Sequence, residues 1–154
     1  MRNPRPVRTG ALTILVFLLV QPVVAGLCFA VLHAVSGAMA DPDAGAFNPL
    51  WAFVAGGLAH LPAAGFTGFL MALASHRVRS AGWWLTAGAL LGWLLATLVV
   101  VLLVRSAFTQ GVGVIVFAAA MAGLPAAPGG ALAAAATLRL RSRPWLRPVA
   151  EAFD

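Results

Sequence analysis

Four long stretches of the chain carry no Asp, Glu, Lys or Arg: Thr9 to Ala40, Ala44 to His76, Ser80 to Val104, and Ser106 to Leu138. A helix that crosses a bilayer needs about 20 predominantly apolar residues at roughly 1.5 Å rise each. Each stretch exceeds that length. The pattern predicts helices over residues 11–36, 50–75, 82–105 and 112–138. Helices are the expected form because lipid offers no partner for backbone N–H and C=O groups. The expected fold is all-α: a polytopic integral membrane protein, a four-transmembrane-helix bundle with short loops, forming one domain over residues 1–154.

Within the apolar stretches the informative contrast is small against large. The second helix places Gly56, Gly57, His60, Ala64, Thr67 and Gly68 on one face, and Leu58, Phe66, Phe69, Leu70 and Leu73 on the other. The third carries a Gly88, Gly92, Ala96 ridge, and the fourth carries Ala119, Gly123, Ala126, Gly130 and Ala134. Close approach of small residues is what holds helices together in lipid. These faces predict a tight bundle, with contact to another copy or a partner protein as the sharper alternative.

Prolines interrupt the same stretches. Pro22, Pro62 and Pro125 fall near the centres of the first, second and fourth helices, and Pro128 follows closely. Each lacks an N–H and crowds the carbonyl four residues earlier. Bends at a shared depth are expected, and the fourth helix is a candidate for two half-helices.

Composition agrees with the pattern. Hydrophobic residues make up 62% of the chain and charged residues 9%, against about a quarter charged in soluble domains. All ten cations are Arg, with no Lys and no Tyr, which we read as the coding bias of a high-GC bacterium. The Arg residues flank apolar runs instead of forming a nucleic-acid stripe, so no nucleic acid is expected as partner.

The Arg distribution also predicts orientation. Arg2, Arg5 and Arg8, then Arg77 and Arg79, then Arg139, Arg141, Arg143 and Arg147 all fall on one side of the membrane. The other side has Arg105 with Asp41 and Asp43. The positive-inside rule places both termini in the cytoplasm, with Arg-rich tails at 1–9 and 139–154. The expected location is a bacterial inner membrane. Trp51, Trp83, Trp84 and Trp145 sit at helix ends, where an indole anchors at the headgroups together with Arg139, Arg141 and Arg143. Trp93, near mid-helix, is the exception. A cleavable signal is disfavoured because the first apolar run is longer than a signal core of about 7–15 residues.

Chemistry is sparse. No acidic or basic side chain lies deep in a helix, no metal-ligand spacing occurs, and the lone Cys28 allows no internal disulfide. The candidates are Gln21 and His60 near the midplane, flanked by Pro62 and Pro125. A hydrogen bond between Gln21 and His60, or from them to a carbonyl freed by Pro22 or Pro62, is the expected arrangement. Thr86, Trp93 and Thr97 form a mildly polar stripe with no assigned role. Arg105 is a candidate to pair with Asp41 or Asp43. No cofactor and no metal are expected.

These features favour a small non-enzymatic membrane protein that acts through helix–helix contacts, as an accessory subunit, assembly factor or regulator of a larger complex. Its partners would be the bilayer and another membrane protein or further copies of itself. One alternative is a homo-oligomeric transporter or channel with a midplane pathway near Gln21, His60 and Pro125. Another is a haem-, quinone- or lipid-binding protein using His60.

Overall fold

A computed structural model describes residues 7–39, 48–75, 80–104 and 112–141. They form five α-helices: α1 (Val7–Met39), α2 (Pro49–Ala74), α3 (Ala81–Val104), α4 (Val112–Gly123) and α5 (Ala126–Arg141). No strand occurs among the described residues. Among the described residues, four segments are long and apolar enough to cross a membrane: Gly10–Val35, Pro49–Ala74, Ala81–Leu102 and Ala119–Leu140. The last runs through the junction between α4 and α5.

Local chemistry explains the boundaries. Asn48 caps α2, its side-chain oxygen accepting the Leu50 N–H at 2.9 Å, and Pro49 occupies the first turn, where its missing N–H is no loss. Pro22 and Pro62 lie inside α1 and α2, and both helices run on through them. The fourth apolar segment, expected over 112–138, is two helices. Its break falls where Pro125 has no N–H to continue the ladder. The Leu124 N–H turns back to the Met121 carbonyl at 3.2 Å, and the Ala127 N–H takes the Leu124 carbonyl at 3.1 Å.

The helices form a ring. α1 packs along α2, α2 against α3, and α5 against both α3 and α1. α4 is held chiefly by α3.

Small residues set these contacts. On α2 the buried positions are Ala52, Gly56, His60, Ala63, Ala64, Thr67, Gly68 and Met71. A side chain at Gly56 would meet Phe29 of α1 at 2.7 Å, and one at Gly68 would meet Phe17 at 2.9 Å. Across the ring, a Cβ at Gly88 would lie 2.7 Å from the Gly130 carbonyl oxygen. One at Gly92 would lie 2.8 Å from that of Ala126. The α3 and α5 backbones therefore touch along Gly88, Gly92, Ala126 and Gly130, and the α3 ridge is occupied within the chain. Gly57, half-buried, lies over the Pro22 carbonyl, and Gly123 lies against Trp93 and Thr97.

The outward faces are the reverse. Leu15, Leu19, Val23, Leu27, Val31 and Val35 form an exposed stripe down α1. Leu90, Leu94, Leu98 and Leu102 do the same on α3. Leu58, Phe66, Phe69, Leu70 and Leu73 are exposed on α2. The outer faces are thus large and apolar, while small residues line the closest contacts inside, with Phe17, Met71 and Trp84 as the large buried side chains.

The α3–α5 seam yields a graded prediction. Gly130→Ala places a methyl against the Gly88 carbonyl, and overpacking of this kind costs about 1–3 kcal/mol. Gly65→Ala, whose methyl would rest at 3.5 Å from Leu18, should be neutral. Thermal unfolding in detergent should show a lower midpoint for the first variant and an unchanged one for the second.

Candidate functional site

Gln21 belongs to the buried face of α1, in register with Thr13, Phe17 and Ala25. Its relative exposure is 0%, and neither its amide nitrogen nor its amide oxygen has a hydrogen-bond partner in the protein. Two glycines make room for it. The Gln21 amide nitrogen lies 3.1 Å from where a Gly92 Cβ would sit, and its Cγ lies 3.2 Å from the same point at Gly129. The side chain therefore crosses from α1 to α3 over the first turn of α5. An unmet amide in such a place costs about 1–3 kcal/mol.

His60 is also buried, at 2% exposure, and sits on the α1-facing side of α2. Its Nδ1 is 2.6 Å from the Gly56 carbonyl of its own helix. A carbonyl only accepts, so Nδ1 carries the proton and donates it. In the neutral ring Nε2 then offers a lone pair, and it meets no donor in the protein. The Phe29 ring lies 6.0 Å away, tilted. The expected bond between Gln21 and His60 does not form. Its absence follows from geometry: the Gly56 carbonyl is one turn back on the same helix, and Gln21 points towards α3 and α5. Ala63, one turn from His60, packs with Ala96 and Ala126, so an alanine core lies beside Gln21.

The α4–α5 break borders this site. Because the Leu124 N–H bonds to Met121, the Ala120 carbonyl loses its ordinary helical donor. The Trp93 indole N–H of α3 supplies one, at 3.0 Å. This accounts for the indole at mid-helix, which the sequence left without a role. Thr97, one turn further along α3, is packed on Gly123, and its hydroxyl has no partner. Thr67 instead bonds back to the Ala63 carbonyl at 2.7 Å. Thr86 is exposed.

Two candidate positions fall elsewhere than expected. Pro62 is on the outward face of α2, lining a shallow groove with Gly65, Phe66 and Phe69, because it lies on the opposite side of the helix from His60 and Ala64. Pro125 is buried at the break, as is Pro22 on α1. Trp84 is not a surface anchor. It is 2% exposed and donates its indole N–H to Thr137 of α5 at 2.9 Å, while Thr137 donates to the Ala134 carbonyl. Its neighbour Trp83 is 72% exposed, and Trp51 is exposed at the start of α2. Arg139 is exposed near the end of α5, where Arg141 is the last helical residue. Arg105, Asp41, Asp43, Arg143 and Trp145 lie outside the described residues. His33 is exposed near the far end of α1.

No protein-family model, curated protein or solved structure matches the chain. Its chemistry is therefore read from these side chains alone. Together they offer donor and acceptor atoms of one amide, one imidazole lone pair and one hydroxyl, in an interior without an acidic side chain among the described residues.

A matched pair of substitutions tests this geometry. Gln21→Met removes an unpartnered amide at similar volume and should raise stability by about 1–3 kcal/mol. Trp93→Phe orphans the Ala120 carbonyl and should lower it by a similar amount. Denaturation of the empty protein in one detergent compares the two directly.

Proposed function

We propose that the chain is a multi-pass protein of a bacterial inner membrane, with both termini in the cytoplasm, that binds a small polar solute at the midplane and carries it across. The membrane assignment is supported by the inside-out surface. Exposed Leu, Val and Phe stripes of this length would drive association in water, and they suit lipid. The orientation is supported by the nine Arg residues on one side.

One observation carries the functional reading: Gln21, fully buried beside an interrupted helix, keeps both amide atoms unmatched. Broken helices at mid-depth are where transporters hold their substrates, because the interruption presents backbone groups away from lipid. Buried polar groups at such positions are functional candidates. Gln21 and Pro125 lie within a single bundle, so this site does not require several copies. No enzymatic step is assigned to it.

The accessory-subunit reading has a specific support of its own. At its far end α1 is exposed on every side, from Val31 to Val35. A full exposed turn offers surface to another membrane protein. Its small-residue faces, however, are taken up inside the chain.

Topology has a direct check. A fluorescent protein fused after Asp154 should fluoresce, and alkaline phosphatase fused there should be inactive; the opposite pair of results would reverse the orientation. Solute binding is checked with purified protein in nanodiscs against a panel of small carboxylates, amides, polyols and amines. One class should raise the unfolding temperature of the native chain and not that of Gln21→Met. A flat response across the panel would overturn the binding reading. Flux of the stabilising solute into proteoliposomes should depend on the protein and be lost in Gln21→Met, and binding without flux would overturn transport.

A further inference from the structure

The two halves of the fourth segment are held in different ways. α5 is wedged between α1 and α3. Its backbone touches α3 at Gly88 and Gly92, and its Thr137 accepts the Trp84 indole N–H at 2.9 Å. Ala126, its first residue, packs with Ala63 of α2 and Ala96 of α3. α4 is held chiefly by α3. The hydrogen bond that ties it there runs from the Trp93 indole to the Ala120 carbonyl, at 3.0 Å.

The joint between the halves interrupts the helical ladder. Pro125 has no N–H, and the Leu124 and Ala127 N–H groups bond to the carbonyls of Met121 and Leu124, a tighter turn than the α-helical one. Hinges fall at element ends of this kind, where few backbone bonds must change. A swing of α4 about Leu124 and Pro125 leaves the helical bonds inside α4 and α5 intact. It has to break the Trp93–Ala120 bond and lift Gly123 off Thr97.

What such a swing uncovers is polar. Gly123 covers Thr97, whose hydroxyl is buried without a partner. Trp93 is one turn from Thr97 and adjoins Gly92, the residue against which the Gln21 amide nitrogen rests. The α3–α4 seam therefore holds a hydroxyl, an indole N–H and a carbonyl, leading towards Gln21. The α3–α5 seam is backbone on backbone at Gly88 and Gly130, and its Trp84–Thr137 pair is matched. One half of the bundle is sealed, and the other is closed by a single side-chain bond to a carbonyl.

We propose that α4 is a gate. It swings about the Leu124–Pro125 joint, the Trp93–Ala120 hydrogen bond is its latch, and its opening exposes a polar path along Thr97 and Trp93 to Gln21. In the orientation proposed above this is the outer half of the bundle, so the gate opens outwards while the α3–α5 seam stays shut. Movement of one part against a fixed remainder is how alternating access proceeds in transporters with broken helices. This inference rests on the transport reading above and assigns its outer gate.

The test measures distances between spin labels on the full chain in nanodiscs, with the lone cysteine replaced by Cys28→Ala. Labels at Val116→Cys and Leu132→Cys, both exposed positions, span α4 and α5. Labels at Leu102→Cys and Leu132→Cys span α3 and α5 as the reference. The reference pair should give one narrow distance and the α4 pair two. Those two should differ by about 4 Å, the displacement that a bend of roughly 20° produces about 12 Å from its hinge. Trp93→Phe removes the latch and should raise the second population about fivefold, the effect of one hydrogen bond. If Trp93→Phe does not fold, Gly123→Ala serves, because its methyl would press on Thr97 and lift α4 from α3. Thr97→Cys should react several-fold faster with a charged thiosulfonate reagent when either variant is present. One narrow distance for both pairs, unchanged in the variants, would overturn the gate even in a chain that carries solute. Two distances with Thr97→Cys equally protected in every background would overturn the polar path. Two distances shifted by Trp93→Phe, in a chain that carries no solute, would support the hinge and overturn the transport reading.

Discussion

The bundle depends on backbone contact between α3 and α5. At Gly88, Gly92, Ala126 and Gly130 no side chain separates the two helices, and carbonyl oxygens stand where Cβ atoms would be. Such an approach brings many weak contacts into range, and it is the form of attraction that persists when the solvent is as apolar as the side chains. It also fixes depth. With Gly88 against Gly130 and Gly92 against Ala126, the α4–α5 junction is held level with the middle of α3. The Gln21 and Trp93 side chains then meet that junction, while Trp84 meets Thr137 further along α5.

A helix interruption away from water exposes backbone groups that must be matched, and the chain does most of this locally. Pro125 and Pro128 remove donors, Leu124 turns back on Met121, and the Trp93 indole reaches the Ala120 carbonyl. The groups left unmatched beside it are the Gln21 amide and the Thr97 hydroxyl. A chain that matches the carbonyls of its broken helix and leaves an adjacent amide bare distinguishes structure from site. That contrast supports the binding proposal more than burial of Gln21 alone would.

Much of the fold is legible in residue spacing. The four apolar stretches, the small-residue face of α2 and the vulnerable point at Pro125 all follow from local rules of length, period and proline geometry. The failures are instructive. Trp83 and Trp84 are adjacent, so they point about 100° apart, and here one faces outward and the other inward. Trp84 shares a spacing of four with Gly88, Gly92 and Ala96, and that register was the available signal that it turns inward. Pro62 was placed by depth, although the helical period puts it opposite His60. The partner of Trp93 and the unmatched state of Gln21 were not legible. Each is set by a contact between helices distant in sequence, and which carbonyl is freed depends on how the break closes.

The account stands or falls on the state of one amide. Gln21 and Gln110 are the two glutamines of the chain, so glutamine labelled with ¹³C at the side-chain carbonyl reports on Gln21 alone in a Gln110→Asn background. Isotope-edited infrared spectra of the empty protein in nanodiscs should show that carbonyl stretch at the high frequency of an unbonded amide, unchanged in heavy water. A low-frequency, hydrogen-bonded carbonyl in the empty protein would contradict it.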